Sequence, residues 1–235
     1  MNKTVAIHQP NFFPWLGYFD KIARSDDFLF FDDVQYPKKG GVWTNRVKLL
    51  ISDQPRWATA AIDRNYSGTR QIKEMHFLVN HPWRKKIINS LVASYRRHPF
   101  YQETMEVIEP LLLNVESNIS EYNIHAVTQI ARQIGLDTSK IQRSSAYETT
   151  GSSTELLCSL TNKLGGSEYM CGGGAEGYQD NDLFKKCGLQ LVYQNFKHPT
   201  YSQQAQSKFV PGLSIVDAAM NVGWHGIQNL LNISR

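Results

Sequence analysis

His8-Gln9-Pro10-Asn11 puts an imidazole, two side-chain amides and a stiff proline into four consecutive residues. A neutral imidazole can accept a proton or donate to a phosphate, and the amides of Gln9 and Asn11 can both donate and accept. The same residues also suit a rigid turn with a structural histidine. A second run, Asp32-Asp33-Val34-Gln35-Tyr36-Pro37-Lys38-Lys39, continues to Asn45-Arg46 and crowds both signs of charge together. Carboxylates in such a run can hold an amine or a metal, and Lys38, Lys39 and Arg46 can hold a phosphate. Solvated loops carry similar clusters.

Two further stretches have the right residue types. Met170-Cys171-Gly172-Gly173-Gly174 leads to Tyr178, and backbone N–H groups beside glycines can approach a phosphate or a sugar. The spacing is neither that of a Walker A loop nor that of the dinucleotide fingerprint. Phe196-Lys197-His198-Pro199-Thr200-Tyr201-Ser202-Gln203 offers His198, Tyr201 and Gln203 as a polar rim, or an ordered structural loop. The seven histidines show no short paired spacing, and neither a metal-ligand set nor a Ser or Cys nucleophile elbow is present.

The elements that must position these groups follow from periodicity. Lys3 to Ile7 reads as a buried strand feeding the first turn, and Pro14 to Ala23 as a short helix with proline in its first turn. Asp27 to Phe31 reads as a second strand ending at Asp32-Asp33. Arg46–Ile51 and Arg56–Ile62 read as strands around Ser52-Asp53-Gln54-Pro55, a hairpin signal. Trp83, Ile87, Ile88, Leu91, Val92 and Tyr95 share a helical face. Tyr101 to Ser117 predicts a helix broken or kinked at Pro110, and Ser120 caps another that ends at Gly135. From Ile141 the α/β pattern returns. A Ser152–Glu155 capping box opens one helix, and Glu168 to Cys171 forms a strand. A helix follows over Asp180–Cys187, then a strand over Leu189–Phe196 and a last capped helix over Ser214–Met220. The expectation is an α/β fold with a mixed or mostly parallel sheet, flanking helices, and a helical cap or subdomain at about 80–135 within a single 1–235 domain.

Composition narrows the class. With 41% hydrophobic and 20% charged residues the chain is ordinary globular protein and not a disordered one. Net charge is +4, too mild to predict nucleic acid binding but compatible with an anionic small molecule. The longest apolar runs are too short for a membrane span. Thr4-Val5-Ala6-Ile7 runs into His8 with no signal-peptide core, and three widely spaced cysteines fit a reducing compartment. A cytoplasmic protein is expected.

The blocks Ile7-His8-Gln9-Pro10-Asn11 with Pro14-Trp15-Leu16-Gly17-Tyr18, and Asp32-Asp33-Val34-Gln35 with Asn45-Arg46, resemble the WbqC-like protein family. So do Tyr169 through Gly174 with Tyr178, Pro199-Thr200-Tyr201, Gln203, and Leu213 through Asp217. The resemblance spans nearly the whole chain. It implies an association with O-antigen and other surface-polysaccharide synthesis, with an amino-acid (glycine) transferase role suggested for some members. A looser similarity is to nucleotidyltransferase-type α/β folds, whose turn reads His-x-Gly-His. Here Trp15 and Tyr18 stand where those histidines would fall.

The combined expectation is a transferase that forms an amide, acyl or aminoacyl (glycyl included) in kind, on a nucleotide-linked amino sugar. His8, Asp32 and Asp33 are the candidate catalytic residues. Gln9, Asn11, Tyr18, Gln35, Lys38, Lys39, Asn45, Arg46, Gly172, Gly173, Gly174, Tyr178, His198, Tyr201 and Gln203 are candidate substrate contacts. The donor, an acyl-CoA or ATP with an amino acid, is not written in these patterns. The alternative is a non-catalytic sugar-nucleotide-binding or scaffold protein of a polysaccharide assembly system.

Overall fold

The computed structural model describes residues 2–37, 43–172, 180–204 and 208–233. The expected contacts Lys38, Lys39, Gly173, Gly174 and Tyr178 lie outside these described residues.

Five strands form one parallel sheet: β1 (Thr4–His8), β2 (Asp27–Phe30), β5 (Ile141–Arg143), β6 (Glu168–Cys171) and β7 (Gln190–Tyr193). Their spatial order is β5-β2-β1-β6-β7, and all four pairings are parallel. β2 is buried along its whole length, and β1 at Val5, Ala6 and Ile7. Strands covered on both faces read as continuous apolar runs, as these do. From β1 the chain steps outward to β2 and then β5, and later returns to the other side of β1 for β6 and β7. The winding direction therefore reverses between β1 and β6. A sheet of this kind opens a crevice at that reversal, beyond the carboxyl ends of the two strands.

The remaining pair, β3 (Arg46–Ile51) and β4 (Gln54–Thr59), is an antiparallel hairpin outside the main sheet. Its turn is shorter than the sequence reading, Ser52-Asp53 alone, with φ of 50° and 59°. Two successive left-handed residues match the right-handed twist of the flanking strands. Arg46 accordingly opens a hairpin strand and does not follow a strand of the parallel sheet.

Helices α1 (Leu16–Arg24), α5 (Ser153–Lys163) and α6 (Asn181–Lys186) pack on strands of the sheet, and α7 (Ile215–Leu230) packs on α3 and β3, while α2 (Trp83–Tyr95), α3 (Tyr101–Leu113) and α4 (Ile119–Gln133) follow one another without an intervening strand. One apolar cluster includes Phe19 of α1, Leu49 of the hairpin, Ile87, Ile108 and Ile130 of the middle helices, and Met220 of α7.

Several helix boundaries differ from the sequence reading. Pro14 precedes α1, which starts at Leu16. α3 runs through Pro110 unbroken. Both Pro110 and Glu106, whose carbonyl loses its usual donor, are exposed, so water can satisfy it. α4 is capped by Asn118, which accepts from the Glu121 N–H, and Ser120 is buried in the first turn instead. The expected capping box at Ser152 does not form, for its side chain makes no cap bond and Ser153 has φ 51°. α7 extends ten residues past the expected Met220 across a kink at Gly223, φ 69°. A Cβ there would come within 2.7 Å of the Phe100 ring, so close packing as well as backbone conformation calls for glycine.

Candidate functional site

The carboxyl edge of the parallel sheet gathers the ends of β1, β2, β5 and β6. His8 ends β1, and its carbonyl accepts from the Phe31 N–H at 2.8 Å, so the acidic step after β2 lies directly beside it. Ser144 and Ser145 follow β5, Cys171 ends β6, and Gly172 follows it.

His8 is ringed by aromatics, with Tyr18 at 4.6 Å and Trp15 at 5.9 Å between centroids. Its Nδ1 lies 3.1 Å from the Gln9 carbonyl oxygen. A carbonyl only accepts, so Nδ1 carries the proton and Nε2 presents a lone pair. Burial, reinforced by the Lys21 charge, lowers the imidazole pKa to about 3. His8 is thus neutral throughout the ordinary pH range. That suits a fixed hydrogen-bond acceptor, whereas a general base works best with a pKa near the operating pH.

The turn after His8 is held from three sides. Tyr18 is buried and donates its hydroxyl to the Gln9 carbonyl at 2.9 Å. Asn123 of α4 donates to both the Pro10 and Thr44 carbonyls, at 2.9 and 2.7 Å. Ser214, at the start of α7, donates to the Phe13 carbonyl at 2.7 Å. Phe13 needs that support, because its φ of 42° is unusual for a side-chain-bearing residue. Asn11 is 2% exposed, and its Oδ1 has no hydrogen-bond partner among the described residues.

The two aspartates divide. Asp32 is 2% exposed and fully engaged. Its carboxylate accepts from the Ser145 N–H at 3.1 Å and the Ser145 hydroxyl at 2.8 Å, and shares the Ser144 hydroxyl at 3.1 Å. It ties β2 to the residues after β5. Asp33 receives the same Ser144 hydroxyl on Oδ1 and remains partly exposed. Asp33 is the carboxylate of this pair with surface left for a ligand.

The other expected contacts scatter. Asn45 is consumed internally, accepting from the Tyr36 hydroxyl at 3.2 Å and donating to the Ala60 carbonyl at 2.9 Å. Arg46 stacks on Trp57, 4.2 Å from the ring centroid. Gln35 is exposed and bridges to Gln71 at a shallow groove with Thr69, Arg70 and Glu74. His198 packs on Phe196, whose ring touches the start of α1 at Gly17. Tyr201 and Gln203 are spent on buried Asp217, at 2.7 and 3.1 Å. Gly172 has open surroundings, since a Cβ added there meets no described atom within 4 Å.

Sequence reasoning missed Lys21 and Asp217. Lys21 is 3% exposed and donates to the Ile7 carbonyl at 3.0 Å beneath the edge. Burial lowers its pKa to about 8, with Cys171 partly countering. The available signal was a lysine stacked over Gly17 and Tyr18, four and three residues earlier on α1 and both buried. Asp217 sits three residues after Ser214, where it reads as a capping residue. It instead points inward and accepts from Tyr95 as well, at 2.8 Å, and burial raises its pKa. Among the described residues no group of three His, Cys, Asp or Glu side chains can hold a metal ion, and no helix is long and apolar enough to cross a membrane.

Comparison with known proteins adds family but no chemistry. A relative, the uncharacterized protein Rv1507c of Mycobacterium tuberculosis, is 29% identical over 222 residues, covering 94% of each chain. No solved structure matches. The WbqC-like protein family matches residues 9–229, from Gln9 in the first turn to the last turn of α7. The chain belongs to the WbqC-like protein family.

Proposed function

We propose that the protein transfers an acyl or aminoacyl group to the amine of a nucleotide-linked amino sugar, forming an amide for surface-polysaccharide synthesis. The observation that carries this reading is the pairing of unlike groups on one edge. Asp33, partly exposed, can hold an ammonium, and neutral His8, which ends the strand paired with β2, carries an Nε2 lone pair for an N–H. In the reaction the bound ammonium first gives one proton to solvent, the neutral amine nitrogen then attacks the donor carbonyl carbon, the C–N bond forms, and the bond to the leaving group breaks. The amine proton leaves with that group or to solvent. The backbone N–H of Gly172 supplies a donor for the tetrahedral oxyanion. His8 orients the attacking amine, and Asp33 holds the ammonium in place until it gives up its proton.

The non-catalytic alternative, a sugar-nucleotide-binding or scaffold protein, is favoured by one observation. An imidazole with a pKa near 3 is a feeble proton acceptor at neutral pH. Mass spectrometry separates the readings. Purified protein is incubated with nucleotide-linked amino sugars and, in turn, acyl-CoA donors or ATP with amino acids. A product heavier by one acyl or aminoacyl group, formed roughly 10²-fold more slowly with Asp33→Asn, supports transfer. Saturable sugar-nucleotide binding with no product from any donor supports the binding protein.

A further inference from the structure

The first turn and the hairpin are joined by a continuous row of rings. From His8 the row passes to Trp15 at 5.9 Å, to Trp43 at 5.1 Å, and to Trp57 at 5.0 Å. Trp43 is fixed to the turn through its backbone, since its carbonyl accepts from the Phe12 N–H at 2.8 Å. Trp57 lies on the outer face of the hairpin, directly across from Lys48, and is 39% exposed. The inner face carries Val47, Leu49 and Ala58, all buried. An exposed tryptophan is therefore not required to complete this core.

Two cations crowd the same indole. The Arg46 guanidinium carbon is 4.2 Å and the Lys48 Nζ 5.2 Å from the Trp57 ring centroid. Neither forms an ion pair among the described residues. The Arg46 Nε is also buried with no hydrogen-bond partner among them. Two like charges on one side of a two-stranded ribbon repel, and an anion relieves that repulsion. A planar ring beside paired cations matches a ligand with a π-face and adjacent phosphates.

We propose that the outer face of the β3–β4 hairpin is a binding surface for a nucleoside diphosphate, with Lys48 and Arg46 on the phosphates and Trp57 against the base. Trp43 and Trp15 then line the path from this grip to His8. The assignment deepens the proposed function by giving the nucleotide part of the substrate its own subsite, and it rests on that reading only for the sugar end.

The test is calorimetric titration of the full chain with uridine, thymidine and guanosine diphosphates and with inorganic diphosphate, alongside thermal melts. Wild type is expected to bind at least one nucleoside diphosphate. Trp57→Ala should weaken that nucleotide about tenfold, the effect of losing one base stack, while inorganic diphosphate is unchanged. Trp57→Phe should recover most of the loss. Lys48→Gln should weaken nucleotide and diphosphate alike, and more so at low salt. A melting temperature that stays within a few degrees excludes simple unfolding of the hairpin.

Folded Trp57→Ala and Lys48→Gln variants that bind nucleotide as tightly as wild type would overturn the assignment, as would wild type binding none of the three nucleoside diphosphates. The amide product is scored separately in the same variants. Wild-type product formation with unchanged substrate dependence in the hairpin variants overturns the subsite and leaves amide transfer standing. Hairpin-dependent nucleotide binding without any amide product does the reverse.

Discussion

His8 and Tyr18 converge on one acceptor, the Gln9 carbonyl oxygen, with Nδ1 at 3.1 Å and the tyrosine hydroxyl at 2.9 Å. That shared oxygen fixes the imidazole tautomer and holds the ring against Tyr18. The lone pair of His8 is therefore aimed by residues that themselves never need to touch a ligand.

The His8 ring should not titrate in the neutral range. Its pKa is about 3 in the folded protein against 6.5 in a free chain. The unfolded state thus binds the extra proton first, and the contribution to stability is complete above about pH 6.5 and lost as pH falls toward 3. His8→Asn should be less stable than wild type at pH 7, with the difference in melting temperature shrinking by pH 5. An imidazole C2–H resonance that moves between pH 6 and 8 would show instead that the ring is open to water.

Asp32 and Asp33 should respond differently to the same isosteric change. Asp32→Asn turns one acceptor oxygen into a donor facing the Ser144 and Ser145 donors, and should cost about 1–3 kcal/mol of stability. Asp33→Asn leaves the melting temperature within a few degrees but should cut turnover by roughly 10²-fold, as the ammonium loses its counter-charge. Thermal melts and product rates on both variants check this. Equal loss of turnover per folded molecule in both would dissolve the distinction between anchor and ligand contact.

The strands were legible because their apolar runs are short and bounded by turn residues. Glu168–Cys171 is found where the pattern puts it, and the last apolar-periodic helix begins at its Ser214 cap. What periodicity does not encode is which strands are neighbours. The three-residue strand Ile141–Arg143 carries too little pattern to stand out, yet it brings Ser144 to Asp32. Candidate residues in the first turn and after β2 were brought to one edge by parallel pairing of β1 and β2. Arg46, Asn45, Tyr201 and Gln203 were grouped with them by chemical type alone. Their partners, Trp57, Tyr36, Ala60 and Asp217, are set by tertiary contacts invisible to local spacing.

Gly17 is a further point where one atom decides the geometry. A Cβ at this position would lie 2.7 Å from the Phe196 ring and 2.8 Å from the Trp15 indole nitrogen. Gly17→Ala should therefore displace Trp15 from His8 and cost roughly 1–3 kcal/mol through overpacking. Pairing it with Phe196→Leu should restore part of the melting temperature. An additive loss in the double variant would mean that the Phe196 contact is not the source of the strain.

Lys21 gives the most direct electrostatic test of the edge. Its ammonium is buried beneath His8, donates to the Ile7 carbonyl, and is the second cause of the low His8 pKa after burial itself. Lys21→Met removes a desolvated charge while keeping most of the apolar stem, so the fold should survive with little loss, since apolar replacements of buried charges are often tolerated. Two pH signatures should follow. The His8 pKa should rise from about 3 yet stay below 6.5, because burial remains. The stability difference between wild type and variant should also depend on pH in a defined window. Lys21 has a folded pKa of about 8 and an unfolded value of 10.5, so the unfolded state holds the proton more tightly between them. Wild type therefore gains stability relative to Lys21→Met as pH rises from about 8 to 10.5, and loses it again on the way down. Paired denaturant titrations at pH 7 and pH 10 measure the difference directly. A gap that is constant across this range would place the Lys21 ammonium in contact with solvent, and the depression of His8 would then rest on burial alone.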